Sequence, residues 1–387
     1  MWRSMLVGLF VGALCTSCQP DPSPAQTNAL AASPAEDYET NPYQWGFIDR
    51  SGELVIAPRF DEVRAFSEGL ALVRTKGQWG YINHSGAFAI PARFRAAWPF
   101  RHGVAKAQSE DGKYGLINRQ GAWVAPAEWE ELRPFSEGWA SVRRGDKYGM
   151  IDTTGQLVLP LSYDGPGQRE NDQIIIRKDG KYGMLNLEGE IVLPFAYERL
   201  KPFREGVARA KQDGKYGYLR ADGTWAIRPQ YAQATDFAQG WAAVLVDGQW
   251  GLIDLAGHAV RLPKYDQLYY ANAGRWIAAL ADEYYLLDEQ GQRLEAGPYA
   301  EVHPFNEGLA SFRTYADKWG YLDVNGAVVI QPQYLLTWPF RNGEARVATP
   351  NGMTLINQQG KYIMPVRPCF LELQEFSEGL APVQVCQ

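Results

Sequence analysis

The sequence predicts an all-β protein of ten tandem hairpin or meander repeats of about 34 residues each, forming either a propeller-like ring or an open superhelical array. Three observations predict it. An aromatic-Gly pair returns at Trp45-Gly46, Trp79-Gly80, Tyr114-Gly115, Tyr148-Gly149, Tyr182-Gly183, Tyr216-Gly217, Trp250-Gly251 and Trp319-Gly320, with degenerate phases at Tyr284-Tyr285 and Met353-Thr354. A Gly stands three residues beyond an Asp or Asn in nearly every unit, at 52, 86, 121, 155, 189, 223, 257, 291, 326 and 360. Helix breakers are too dense for the helical arrays that share this period: the unit from Trp79 to Lys113 carries Gly80, Gly86, Pro91, Pro99 and Gly103.

Each recurring residue has a physical job. The aromatic of the pair is expected to pack between units, and its Gly to permit close backbone approach or a bulge. Asp or Asn first and Gly fourth is type I turn chemistry, in which the short side chain bonds backbone amides and Gly takes the positive φ. A Pro at 58, 91, 126, 160, 194, 229, 263, 298, 332 and 365 is expected to end the second strand and turn the chain. A Phe three residues before a Gly, as in Phe66-Ser67-Glu68-Gly69, marks a second tight turn. The strand after it, such as Leu70-Ala71-Leu72-Val73-Arg74, runs through Lys76-Gly77-Gln78 into the next Trp-Gly strand, so those two pair as a hairpin. The Trp45-Gly46 strand then has no such partner before it, and the strand from Leu380 to Val385 has none after it. Either these two pair and close a ring, or both remain edges of an open superhelix, with Pro382 suiting a protected edge.

Units reading Lys-Tyr-Gly-Met-Ile-Asp-x-x-Gly, then Pro-x-Tyr, then Phe-x-Glu-Gly-x-Ala, resemble the bacterial WG (or KWG) repeats over residues 43–387. The resemblance implies a β-rich scaffold, frequent on secreted or surface proteins, and no known reaction. Two stretches depart from the pattern: Asp164 to Asp172 replaces the Phe-x-x-Gly turn, and Tyr265 to Tyr285 breaks the period.

At the N-terminus, Met1-Trp2-Arg3 and the apolar run Leu6 to Leu14 read as a secretory signal over residues 1–17, too short to cross a membrane. Cys15-Thr16-Ser17-Cys18 resembles a bacterial lipoprotein box with Cys18 as the lipidated residue; ordinary signal cleavage nearby is the alternative. Residues 18–42, rich in Pro and without apolar period, read as a flexible tether. Residues 43–387 read as one repeat domain, which grows without a single central core because each unit buries its apolar face on its neighbours. The expectation is an exported lipoprotein anchored in a bacterial membrane, periplasm-facing or on the surface.

Chemistry is sparse. His84, His102, His258 and His303 lie near turns without ligand spacing, so neither metal nor cofactor is expected. Asp49, Asp152, Asp254 and Asp323 are lone carboxylates in their turns, which suits turn formation rather than calcium. A net charge of −6 with interspersed Lys and Arg gives no basic stripe for nucleic acid. Nucleophile elbow, phosphate loop and dinucleotide fingerprint are all missing. With Cys18 lipidated, Cys369 and Cys386 remain, either as a disulfide or as two thiols. Trp98, Trp139, Trp241 and Trp338 recur less often than the repeat, and serve either packing or contact with a glycan or peptide. The candidate binding residues lie where periodicity breaks: Arg169, Glu170 and Asp172, then Tyr269, Tyr270, Arg275 and Trp276. The expected function is a non-catalytic binding or scaffolding module for a protein or glycan. The alternatives are a hydrolase or lyase of envelope polymer working through carboxylates such as Glu170 or Asp172, and a structural spacer.

Overall fold

The structure, a computed structural model, describes residues 43–386, except for the side chains of 260–263 and 386. Every regular element among them is a β-strand, and the strands gather into ten antiparallel sheets, eight of four strands and two of three. The first blade shows the pattern: Glu62–Val63, Ala71–Thr75, Gln78–Ile82 and Phe88–Phe94 pair in chain order. A single residue, Arg95, then leads into the second blade at Ala96–Ala97.

Both ends of the described chain build the tenth blade. Phe370–Leu373 pairs with Ala381–Cys386, which pairs with Tyr43–Ile48, which pairs with Leu54–Phe60. The open question of the sequence is thereby answered: the ring closes, as a ten-blade β-propeller. Pro382 does not lie on an edge. It faces Phe47 in the neighbouring strand, and its carbonyl accepts the Gln374 N–H at 2.9 Å on the other side.

Ten hydrophobic clusters lie between successive blades, so the core is a ring of interfaces and has no single centre. Between the first two blades Leu72, Tyr81, Ile90 and Phe94 meet Phe100, Ala105, Ala107 and Ile117. The second strand of a blade is buried on both faces, as at Ala71, Leu72 and Val73, because it packs against both neighbouring blades. The aromatics of the repeat sit at the margin of these cores: Trp45 and Trp319 are buried, while Trp79, Tyr114, Tyr148, Tyr182, Tyr216 and Trp250 are half-buried. The fully buried ring comes two residues later, at Phe47, Tyr81, Tyr218 and Tyr321.

The Asx turns form as their sequence predicts. Asp49 Oδ1 accepts the N–H groups of Ser51 (2.9 Å) and Glu53 (3.1 Å), and Gly52 takes φ 83°. The role of Pro differs from expectation. Pro58, Pro91, Pro126 and Pro229 lie inside seven-residue outer strands, not beyond their ends. The outer strand is an edge, so a missing N–H removes no ladder bond there, and the Pro stands where the register slips. In the fifth blade (Arg199–Arg204, Val207–Gln212, Lys215–Leu219, Trp225–Tyr231) the partner moves from Tyr231 to Ile227 while the third strand advances only from Tyr216 to Tyr218. That bulge presses onto Gly217. A Cβ there would lie 2.5 Å from the Ile227 carbonyl oxygen and 2.7 Å from the Pro229 nitrogen, so the Gly of the aromatic-Gly pair is a close-approach residue.

Candidate functional site

The tight turn between first and second strands repeats on one side of the ring. Ser67 and Leu70 exchange backbone hydrogen bonds while Glu68 and Gly69 both take positive φ, at 54° and 80°, a hairpin turn of the primed kind. A Glu in the left-handed region is strained. Its carboxylate offsets that cost by bonding the next blade: Glu68 accepts the Gly103 N–H at 3.0 Å, Glu205 the Gly240 N–H at 2.8 Å, and Glu307 the Gly343 N–H at 2.8 Å. Across the ring closure, Glu378 accepts the Gly69 N–H at 3.0 Å. These glutamates therefore latch one blade to the next.

Arg169, Glu170 and Asp172 lie on this side, in the fourth blade (Gln168–Glu170, Gln173–Lys178, Lys181–Leu185, Ile191–Tyr197). The blade is regular in spite of its altered sequence. Arg169 takes the place of the turn Phe, its guanidinium over the Trp139 ring at 5.0 Å and its Nη1 donating to the Glu137 carbonyl at 2.6 Å. Gly167 gives up a side chain against Met150 and Ile176, and its N–H donates to Ser141 Oγ at 3.1 Å. Glu170 is ion-paired with Arg204 of the fifth blade. Asp172 is exposed at the turn.

Tyr269, Tyr270, Arg275 and Trp276 come together in the first hairpin of the seventh blade (Gln267–Tyr270, Trp276–Leu280, Glu283–Leu287). Trp276 is fully buried, which removes it from any binding surface. It occupies the position that Ala71, Ala208 and Ala310 hold elsewhere, and it enters the core between the sixth and seventh blades beside Ala243, Leu252 and Tyr265. Tyr270 packs edge-on to it at 5.4 Å, and Arg275 Nε donates to the Val324 carbonyl at 2.5 Å. Burial first, then the nearby Tyr284 and Glu301, push the Tyr269 phenol up to about 12. Tyr270 and Arg275 remain partly accessible.

The other candidates have plainer places. Trp139, Trp241 and Trp338 pack against inter-blade cores, and Trp98 meets Tyr114 edge-on at 5.9 Å. Cys369 is half-buried against the core between the last two blades; the proposed partner side chain, Cys386, and the lipidation residue, Cys18, lie outside the described residues. The turn carboxylates are committed to their turns. The Ser51 hydroxyl and the Glu53 amide hold Asp49 below the usual carboxylate range, and the Thr224 hydroxyl and amide do the same for Asp222. Among the described residues no group of three His, Cys, Asp or Glu side chains is placed to hold a metal ion.

Sequence reasoning passed over the outer strands. Their first residue is apolar and exposed in five successive blades, at Leu54, Phe88, Trp123, Leu157 and Ile191, and in four blades the next residue is too: Val55, Val124, Val192 and Val329. Ile191 is 63% exposed. The signal was present two residues beyond each Asx-turn Gly, where a surface position repeatedly carries an apolar side chain.

A family model described as WG containing repeat matches residues 45–79, 79–114, 114–148, 148–182, 182–216, 216–250 and 319–349. No curated protein matches the chain. Among solved structures, BamB from Moraxella catarrhalis is similar at 12% identity, covering 75% of this chain and 96% of its own, with a TM-score of 0.36. A eukaryotic initiation factor covers 74% and 94% at 11% identity and a TM-score of 0.43. The WD40 β-propeller domain of Doa1 covers 67% and 93% at 12% identity and a TM-score of 0.29. Likenesses this remote say nothing about what the chain binds.

Proposed function

Because this chain belongs to the family of WG containing repeat proteins, whose repeats build its ten-blade ring, we propose that it is a non-catalytic binding or scaffolding module. The observation that carries this reading is the row of exposed apolar side chains on successive outer strands. Large apolar patches on a soluble surface are costly unless a partner covers them. A rigid ring that repeats such a row offers a partner several equivalent contacts. Of the carboxylates named for hydrolysis, Glu170 is paired with Arg204, and the turn aspartates accept backbone amides. A photo-crosslinking side chain at Ile191 or Val329 of the full chain, in its own cells, is expected to trap a discrete adduct. Adducts absent from both outer-strand sites would sink the reading.

The same proposal includes an anchor. Cys18 carries lipid and residues 19–42 let the ring stand off the membrane. Cells making the Cys18→Ala chain are expected to lose incorporation of labelled fatty acid and to release the protein from the membrane fraction. Labelling that survives the change would remove Cys18 as the anchor.

A further inference from the structure

We propose that the second and fifth blades each carry a site for a pyranose ring, walled by Trp123 and by Trp225. This deepens the binding-module reading above and rests on it.

The two sites share one position in the repeat. The first residue of the outer strand is Leu54, Phe88, Leu157, Ile191, Ala259 or Val328 in other blades, and Trp at these two. Each indole is held upright by an edge-on contact with the aromatic that ends the preceding outer strand. Trp123 meets Phe94 at 6.1 Å and 87°, and Trp225 meets Tyr197 at 6.1 Å and 85°. Such contacts fix a ring's orientation, and Trp225 is half-buried against the core between the fourth and fifth blades. Trp123 remains 40% exposed.

A cleft opens beside each Trp, of about 520 Å³ at Trp123 and about 590 Å³ at Trp225. Clefts of this size suit small ligands. In both, residues where the second strand turns into the third also line the cleft, Glu110 at the first, which Arg93 lines as well, and Asp213 and Lys215 at the second. Gln120 completes the first rim and Arg228 the second. The lining is thus an aromatic plane edged by planar amide, carboxylate and guanidinium groups. A pyranose presents a flat face of C–H bonds and a girdle of hydroxyls that both donate and accept, and this lining is complementary to it.

The two sites are three blades apart on a ring of ten, so they face different directions. One chain end cannot occupy both, whereas a polymer or a crowded glycan surface can engage them together with a gain in avidity.

The test uses the full chain and a panel of soluble hexasaccharides, cello-, xylo-, manno- and chito-, with a disaccharide muropeptide from peptidoglycan as a further probe. Indole fluorescence and calorimetry are expected to detect at least one binder. Trp123→Ala and Trp225→Ala should each weaken it about tenfold, which corresponds to one lost aromatic contact, and the double variant should abolish it. Glu110→Ala with Gln120→Ala, which leaves the Trp123 packing intact, should weaken the first site, and Ile191→Ala should leave both unchanged. A panel without a binder, or binding that survives in a folded double variant, overturns the assignment. A crosslinked protein partner at Ile191 together with a silent sugar panel would retire these sites while leaving the scaffold reading standing.

Discussion

Blades five and seven are drawn from the same repeat and stand two places apart, yet one has four strands and the other three. The difference turns on a single position. Gly217 in blade five lies under the Pro-bearing bulge of the outer strand, with no space for a Cβ. The same place in blade seven is Tyr285, and the segment that would be the outer strand touches the sheet only through isolated bridges, Leu287 with Arg293 and Tyr284 with Tyr299. Arg293 instead lies over the Tyr285 ring at 3.7 Å. Blade nine (Leu336–Thr337, Glu344–Thr349, Gly352–Asn357) repeats the lesson. It carries Thr354 at that position and again has three strands, with Thr354 Oγ1 donating to the Met364 carbonyl at 2.8 Å. The Gly therefore admits the fourth strand. The first three strands form with or without it.

The largest effect is expected from closing that space. Gly217→Ala should destabilise the ring by about 3 kcal/mol or more, since the obstructing atoms are backbone and cannot move aside. Thr354→Ala should cost about 1–2 kcal/mol, the loss of one buried hydrogen bond. Urea midpoints of the two variants decide the matter, and equal losses would break the contrast between four- and three-stranded blades.

A smaller effect comes from the bond that ties blade five to blade six. Tyr218 Oη donates to the Thr235 carbonyl at 2.8 Å, a role that Leu286 cannot play in blade seven. Tyr218→Phe should cost about 0.5–1.5 kcal/mol, the loss of one part-buried hydrogen bond. Thermal melting checks it, and an unchanged midpoint would mean that water replaces the phenol.

The smallest is a pH effect at the second blade. Lys106 lies over the Trp98 and Tyr114 rings, at 4.0 and 4.2 Å, and donates to the Leu132 carbonyl. Burial holds its ammonium down to about 8, against 10.5 for a free lysine, with Glu131 opposing. Between those values the unfolded chain keeps the proton that the folded chain has released, so stability rises gently with pH across that window. Above about pH 10 the sign reverses, because burial raises the phenols of Tyr81, Tyr218 and Tyr321 and only the unfolded chain ionises them. Melting temperatures measured from pH 7 to 11 should trace this rise and fall, and Lys106→Met should remove the rise alone.

The period, the Asx turns and the strand hairpins were legible in the sequence because each is local chemistry, carried by an Asp, an Asn or a Gly within a few residues. Ring closure was not, because it depends on Tyr43–Ile48 meeting Ala381–Cys386, and the spacing of repeats is the same in a ring and a superhelix. Pro58 and its equivalents misled because a Pro within an outer strand and a Pro beyond its end look alike until the edge is known. Trp276 misled for another reason: a break in periodicity can be a core exchange, here a large ring taken up beside Ala243. Trp123 and Trp225 were visible as residues, but their meaning depended on the aromatics that brace them from the preceding blade.

The tenth blade also sets an order of events during biosynthesis. Hairpins of the first nine blades join neighbours in sequence and form in microseconds once their residues are available. The strand Tyr43–Ile48 is made first and must wait for partners more than three hundred residues downstream. Until they arrive it is an open edge, and such edges recruit the matching strand of another chain. A nascent chain stopped short of Ala381 is therefore poised for strand exchange, and its characteristic failure is a swapped oligomer rather than a loose coil.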